Sequence, residues 1–243
     1  MRVKLWLLMA LMLFEGFGLA AYLLLIGERS PVNLSVFCSA DVQVIASGKN
    51  VYSLFLMGTV LFGTAFFVGE NSGGMSVVLW QSKKRLLERQ GMFCAVWSLL
   101  AAAIAVLVPL FLAFTWGKTE INWGSSSSYF AIINHVVLPK VQLWEVVLVN
   151  FLTQWARNMI FSAMVLLSYW WNGNLLYGFL AVTGICFVEM KMPQIGRVLG
   201  LVKADYEFWL SDAKKLFAVA AGTGWLCVTG GALYYLQKGK EFI

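Results

Sequence analysis

The sequence predicts an all-α polytopic membrane protein with six transmembrane helices and a cytoplasmic amphipathic helix between the second and third spans. Two observations set this class. Hydrophobic residues make up 60% of the 243 residues and charged residues only 12%, whereas soluble domains carry about a quarter charged and roughly half apolar residues. Six apolar runs, at about 5–27, 51–69, 92–116, 141–169, 174–190 and 215–236, match the roughly 20 residues a helix needs to cross about 30 Å of hydrocarbon. With no convincing internal repeat and no appended soluble segment, 1–243 reads as one transmembrane domain.

The first run starts basic, at Arg2 and Lys4, but it is longer than the apolar core of a signal peptide and lacks a small-residue cleavage site. It reads as a retained first span with Glu15 near its middle. The connection 28–50 is expected to be a polar outer loop, in which Cys38 stands alone. Span two carries Gly58, Thr59, Gly63 and Thr64, which permit close helix approach, as do Gly222, Gly224, Gly230 and Gly231 in span six. A serine-rich stretch within 117–140 marks a second outer loop. The run 141–190 is too long for one crossing, and Trp170, Trp171, Asn172, Gly173 and Asn174 supply a turn inside it. The segment 191–214 mixes Phe208 and Trp209 with charges, at spacings suited to short interfacial helices. Trp6, Trp116, Trp123, Trp144, Trp170 and Trp171 are expected at the membrane interfaces.

Arg2, Lys4 and the cluster Lys83, Lys84, Arg85 and Arg89 place the N-terminus and the second connection in the cytoplasm, and six spans return the C-terminus there. That topology leaves five Lys or Arg residues outside in 191–215, so positive charge divides about evenly and does not settle the topology. A five-span alternative would require the whole of 141–190 to cross once. The net charge of +6 is assigned to lipid headgroups, and no basic-aromatic motif suggests nucleic acid. Cys94, Cys186 and Cys227 fall in apolar runs, and His135 has no ligand-spaced company, so neither a disulfide framework nor a metal site is expected.

Ionisable groups inside a membrane are costly and usually face the protein interior or a cavity. Asn150, Gln154 and Arg157, at i, i+4 and i+7, form one polar stripe on span four with Thr153 beside it. Two readings stand. The stripe faces a translocation path or pairs with Glu15, or it makes structural inter-helix hydrogen bonds. Glu145 and Glu189 are expected to be interfacial. No phosphate-binding G-x-x-x-x-G-K-[ST] occurs, so any uphill transport draws on another chain or on an ion gradient. An ion-coupled secondary transporter is the alternative, although paired repeats and broken helices are not evident. A multipass enzyme would need a nucleophile with a base, or paired carboxylates, which the sequence does not present.

Between spans two and three, Gly73 and Gly74 permit a break, and the stretch 73–88 carries Met75, Val78, Leu79, Leu86 and Leu87 among polar residues. On spacing alone this is an amphipathic helix or a basic loop. The order Phe66, Glu70, Gly74, Leu79 and Lys83–Arg85 resembles the corresponding stretch of permeases of type-2 ATP-binding-cassette exporters. The usual Thr after the Gly is Met75, and the Pro expected before the basic residue is absent. The resemblance implies that Glu70, Gly73, Gly74, Leu79, Lys83, Lys84 and Arg85 belong to a coupling helix seated on cytosolic ATPase subunits, which would hold the ATP and Mg. It implies no cofactor on this chain, no enzyme activity of its own, and a second permease subunit in the same bacterial cytoplasmic membrane. Glu70 is either a cap on that helix or a solvated carboxylate. Small permeases of this kind resemble bacteriocin-immunity and antibiotic-peptide exporters, which suggests an amphiphilic peptide or drug as substrate.

Overall fold

A computed structural model describes residues 2–29, 36–70, 82–118, 120–192 and 198–239. These residues are 82% helical, without strands. Helix α1 spans Arg2–Arg29 and α2 spans Ser39–Ala46. Helix α3 comprises an α-turn Lys49–Val51, a π-helical stretch Tyr52–Leu56 and an α-helical stretch Met57–Glu70. Then follow α4 (Lys83–Thr115), α5 (Tyr129–Asn134), α6 (Leu143–Asn172), α7 (Leu175–Lys191), α8 (Tyr206–Leu210) and α9 (Asp212–Gly239).

Four of these are long and apolar enough to cross a membrane, within Trp6–Ile26, Lys49–Gly69, Lys83–Thr115 and Asp212–Lys238. That is the signature of an integral membrane protein. Of the six expected runs, 141–169 and 174–190 also form helices, α6 and α7, but α7 has only 17 residues and α6 carries the polar stripe.

Helix α6 is the axis of the bundle, packed against α2, α3, α4, α7 and α9. Its partners fix its direction. Gln43 joins Val106 of α4 to Asn150, Asn158 reaches Ser98, and Trp170 reaches Gln90, so α4 and α6 run antiparallel. We call the end at which α4 begins the basic end, and the other the cap end. Gly173, with φ +77°, stops α6 at the basic end, and the Asn174 side chain accepts the Leu176 N–H at 2.8 Å to start α7. The turn predicted at Trp170–Asn174 is therefore present. Only 17% of the membrane-length windows of α1 and α9 is buried, against 50% in α3 and 44% in α4. Helices α1 and α9 thus lie at the periphery.

Several expectations change. The second half of the connection 28–50 is not an outer loop: α2 is buried along almost its whole length against α4 and α6. Eight residues are too few to register as a span. Their three polar members, Ser39, Asp41 and Gln43, mask the apolar faces formed by Ala40, Val44, Val42 and Ala46. After a break at Ser47–Gly48 the chain re-enters helix as α3. Contacts with α6 advance steadily, from Gln43 at Asn150 through Ser47 at Arg157 and Tyr52 at Asn158 to Thr64 at Ser162. Helices α2 and α3 therefore run in the same direction, as two pieces of one broken helix.

The segment 191–214 does contain a short helix, α8, but Val198, Leu199 and Val202 insert into the central core with Tyr52, Phe161 and Cys186. Trp123 and Trp170 are fully buried in protein, and each indole N–H has an internal acceptor, Asp41 and Gln90 respectively. Trp6, Trp144 and Trp171 are exposed. Glu189, expected at an interface, is buried.

Candidate functional site

The predicted stripe on α6 is the buried centre of the bundle. Asn150, Gln154 and Arg157 are all inaccessible, and the same face continues through Asn158 and Ser162. Asn150 Nδ2 donates to the Gln43 carbonyl at 3.1 Å and to Gln43 Oε1 at 2.9 Å, while Gln43 Nε2 donates to the Val106 carbonyl at 2.8 Å. Deeper in the bundle, Tyr52 donates to Asn158 Oδ1 at 2.9 Å and Asn158 Nδ2 donates to the Ser98 carbonyl at 3.1 Å. Thr64 donates to Ser162 Oγ at 3.0 Å, and the Ser162 and Ser98 hydroxyls lie 3.3 Å apart. The network ties α2, α3 and α4 to α6. Thr153 lies on a different face and lines a groove against α9.

Arg157 does not bond to Glu15. Its Nε, Nη1 and Nη2 donate to the carbonyls of Val202, Ser47 and Leu199 respectively. The Ser47 carbonyl belongs to the break between α2 and α3, and the other two belong to the inserted segment 198–202. That segment is held from the opposite side by Glu189, whose two carboxylate oxygens each accept a backbone N–H, from Val198 and Gly200, at 2.7 Å. N–H groups face the anion and carbonyls face the cation, so the peptide dipoles of the segment bridge two buried opposite charges. This is how irregular backbone survives inside an apolar bundle, where each unsatisfied group would cost several kcal/mol. The Arg157 guanidinium also sits 5.7 Å from the centroid of the Tyr52 ring.

Glu15 is fully buried on α1, and neither of its oxygens has a hydrogen-bond partner; the nearby Thr59 hydroxyl donates instead to the Leu11 carbonyl at 3.3 Å. Both side-chain polar atoms of Gln154 are likewise buried without a partner. The structure thus brings Asn150 and Arg157 into one network and leaves Glu15 and Gln154 out of it. Sequence reasoning missed Gln43, Tyr52, Ser98, Asn158, Ser162 and Glu189. For Asn158 and Ser162 the signal was there, since they continue the four-residue spacing from Gln154. For the others only tertiary contact reveals the role.

At the cap end, Asp41 Oδ1 accepts from the Trp123 indole at 2.9 Å and the Tyr206 hydroxyl at 3.1 Å, and Oδ2 accepts the Cys38 N–H at 2.9 Å. Burial raises the Asp41 carboxyl above its usual range despite these donors. Burial, with Asp41 beside it, pushes the Cys38 thiol up to about 12. Tyr206 is raised by the same two causes. The cluster locks α2, the loop before α5, and α8 into one cap. His135 ends α5 in the left-handed conformation, with φ 55°. Among the described residues no three His, Cys, Asp or Glu side chains gather to hold a metal ion.

Of the expected coupling segment, Gly73, Gly74 and Leu79 lie outside the described residues, and Glu70 is described only as the last residue of α3. Lys83, Lys84 and Arg85 form the first turn of α4, where Ser82 Oγ accepts the Arg85 N–H at 3.2 Å as an N-cap. Lys84 and Arg85 are exposed.

No protein family, curated protein or solved structure matches this chain. The candidate site is therefore defined by geometry: a sealed polar seam that fastens a broken helix and an inserted segment to a central helix. Two large grooves lie on the outside of the bundle and are apolar, between α4 and α6 and between α1 and α4.

Proposed function

We propose that this chain is the membrane-spanning permease subunit of a type-2 ATP-binding-cassette exporter, moving an amphiphilic or hydrophobic substrate such as an antimicrobial peptide or drug. The observation that carries the reading is the basic end of α4. At about 1.5 Å per residue, the 33 residues of α4 extend about 50 Å, well beyond a hydrocarbon core of about 30 Å. Its first turns, with Lys83, Lys84, Arg85 and Arg89, project past the membrane directly after the segment that resembles a coupling helix. A motor subunit seated there would push on α3 and α4, which the seam joins to α6. Because the seam is sealed within one chain, the reading places the path between two permease subunits, along the peripheral α1 or α9.

The test is reconstitution with its partners. Charge reversal at Lys83–Arg85 is expected to release the cytosolic ATPase during co-purification and to abolish ATP-dependent efflux, and Glu70→Ala to weaken both. Transport that survives ATP depletion but stops when ion gradients are collapsed overturns the proposal. That outcome would favour an ion-coupled transporter, the second reading, which the broken helix at Ser47–Gly48 and the unpartnered Glu15 support.

A further inference from the structure

The groove between α6 and α9 opens at its cap end onto a second, charged pocket, and the two share Lys203, Phe208 and Ala218. The groove holds about 410 Å³, within the roughly 300–1,000 Å³ usual for ligand sites. Small residues make the space, chiefly Thr153 and Ala156 on α6 and Ala218 and Gly222 on α9. Its one α9 hydroxyl, on Thr223, donates to the carbonyls of its own helix, so this wall offers a ligand little polar contact.

The smaller pocket, about 210 Å³, is ringed by charge of both signs. Lys203 Nζ lies 2.6 Å from Asp205 Oδ2 and 3.6 Å from Glu207 Oε2, and Lys214 Nζ lies 3.2 Å from Glu207 Oε2. Two ammoniums and two carboxylates sum to zero, and their side chains are between 34% and 58% exposed, open to exchange partners. An apolar slot that ends in an alternating, neutral charge cluster complements a molecule with a hydrocarbon chain and a zwitterionic head. An anionic headgroup would meet the two carboxylates without a cation of its own, and an uncharged one would use neither sign.

We infer that this is a binding site for a zwitterionic aminophospholipid, with one acyl chain in the α6–α9 groove, its phosphate on Lys203 and Lys214, and its ammonium on Asp205 and Glu207. Such a lipid would brace α9, a peripheral helix, against α6. The inference does not depend on the export reading.

Delipidated protein in detergent, titrated with phosphatidylethanolamine or phosphatidylglycerol and weighed intact by native mass spectrometry, tests it. The expected result is one tightly held phosphatidylethanolamine, retained about tenfold better than phosphatidylglycerol. Thr153→Phe, which fills the groove, should lose that adduct, whereas Thr153→Val should keep it. The double variant Asp205→Asn/Glu207→Gln, which removes the charges that hold the ammonium, should lose the preference between the two lipids, and it decides the matter alone if Thr153→Phe fails to fold. Equal retention of the two lipids by the unaltered protein, or preference retained by the carboxylate variant, overturns the inference. So does displacement of the lipid, one for one, by a cationic amphipathic peptide at lower concentration.

Discussion

At the scale of single residues, the seam turns on Arg157. Removing one member of a buried, hydrogen-bonded charge arrangement typically costs about 3–5 kcal/mol, because the partner groups stay buried without compensation. Arg157→Gln is expected to destabilise the protein by that order, read from thermal or denaturant unfolding in detergent. Arg157→Lys should rescue little, since one ammonium cannot replace three divergent N–H donors on the carbonyls of Ser47, Leu199 and Val202. A double-mutant cycle separates the partners. Arg157→Gln with Glu189→Gln should be non-additive, because both charges hold the segment 198–202, whereas Arg157→Gln with Glu15→Gln should add. The position of Arg157 on a polar stripe was legible from its spacing; its partners were not, because backbone carbonyls of a helix break leave no mark in side-chain pattern. Cys38 supplies a second residue-scale prediction. With its thiol pushed from 9.0 to about 12, the thiolate fraction at pH 8 falls roughly a thousandfold. Maleimide should therefore label Cys38 only after unfolding, as followed by the mass of the peptide that contains it.

At the scale of elements, what was legible was long and periodic. The apolar runs became helices, and the Gly173 turn between α6 and α7 appeared where Asn and Gly predicted it. What was illegible was short: α2, at eight residues, and the inserted segment 198–202 pack apolar side chains into the core, but each is too brief to register as a span and is held in place by polar groups distant in sequence. The small residues divide in the same way. Gly63 sits where an added Cβ would lie 2.1 Å from Trp97 Nε1, so α3 and α4 meet closely there, whereas Gly58, Gly224, Gly230 and Gly231 have open space beside them. Gly63→Ala should thus cost about 1–3 kcal/mol through overpacking, and the same change at Gly224 far less. Pairing Gly63→Ala with Trp97→Leu should recover part of the loss if the clash is the cause. Thermal unfolding of the single and paired variants reads this directly.

At the scale of the whole molecule, the open matter is how many helices cross. With α1, α3, α4 and α9 as the crossings, the chain between α4 and α9 starts and finishes on the same side whether α6 and α7 cross as a pair or stay out of the membrane. The termini are therefore on the same side in either topology, and fusions to them cannot distinguish four spans from six. The turn at Asn172–Asn174 can. Along α6, contacts with α4 descend from the level of Val106 through Ser98 to Gln90, where Trp170 Nε1 meets Gln90 Oε1 at 2.8 Å. Since α4 is itself long and apolar enough to cross, α6, which accompanies it from Val106 to Gln90, is expected to cross with it. Polarity does not argue otherwise, because the side chains that lower the hydropathy of α6 face the seam and not lipid. The prediction is that a cysteine placed at Asn172, in a background with the native cysteines replaced, reacts with a membrane-impermeant maleimide only from the side that also reaches Lys84→Cys. One placed at Ser126 should react only from the opposite side. Labelling of Asn172→Cys from the same side as Ser126→Cys would reduce the protein to four crossings and leave α6 and α7 as a hairpin that does not cross.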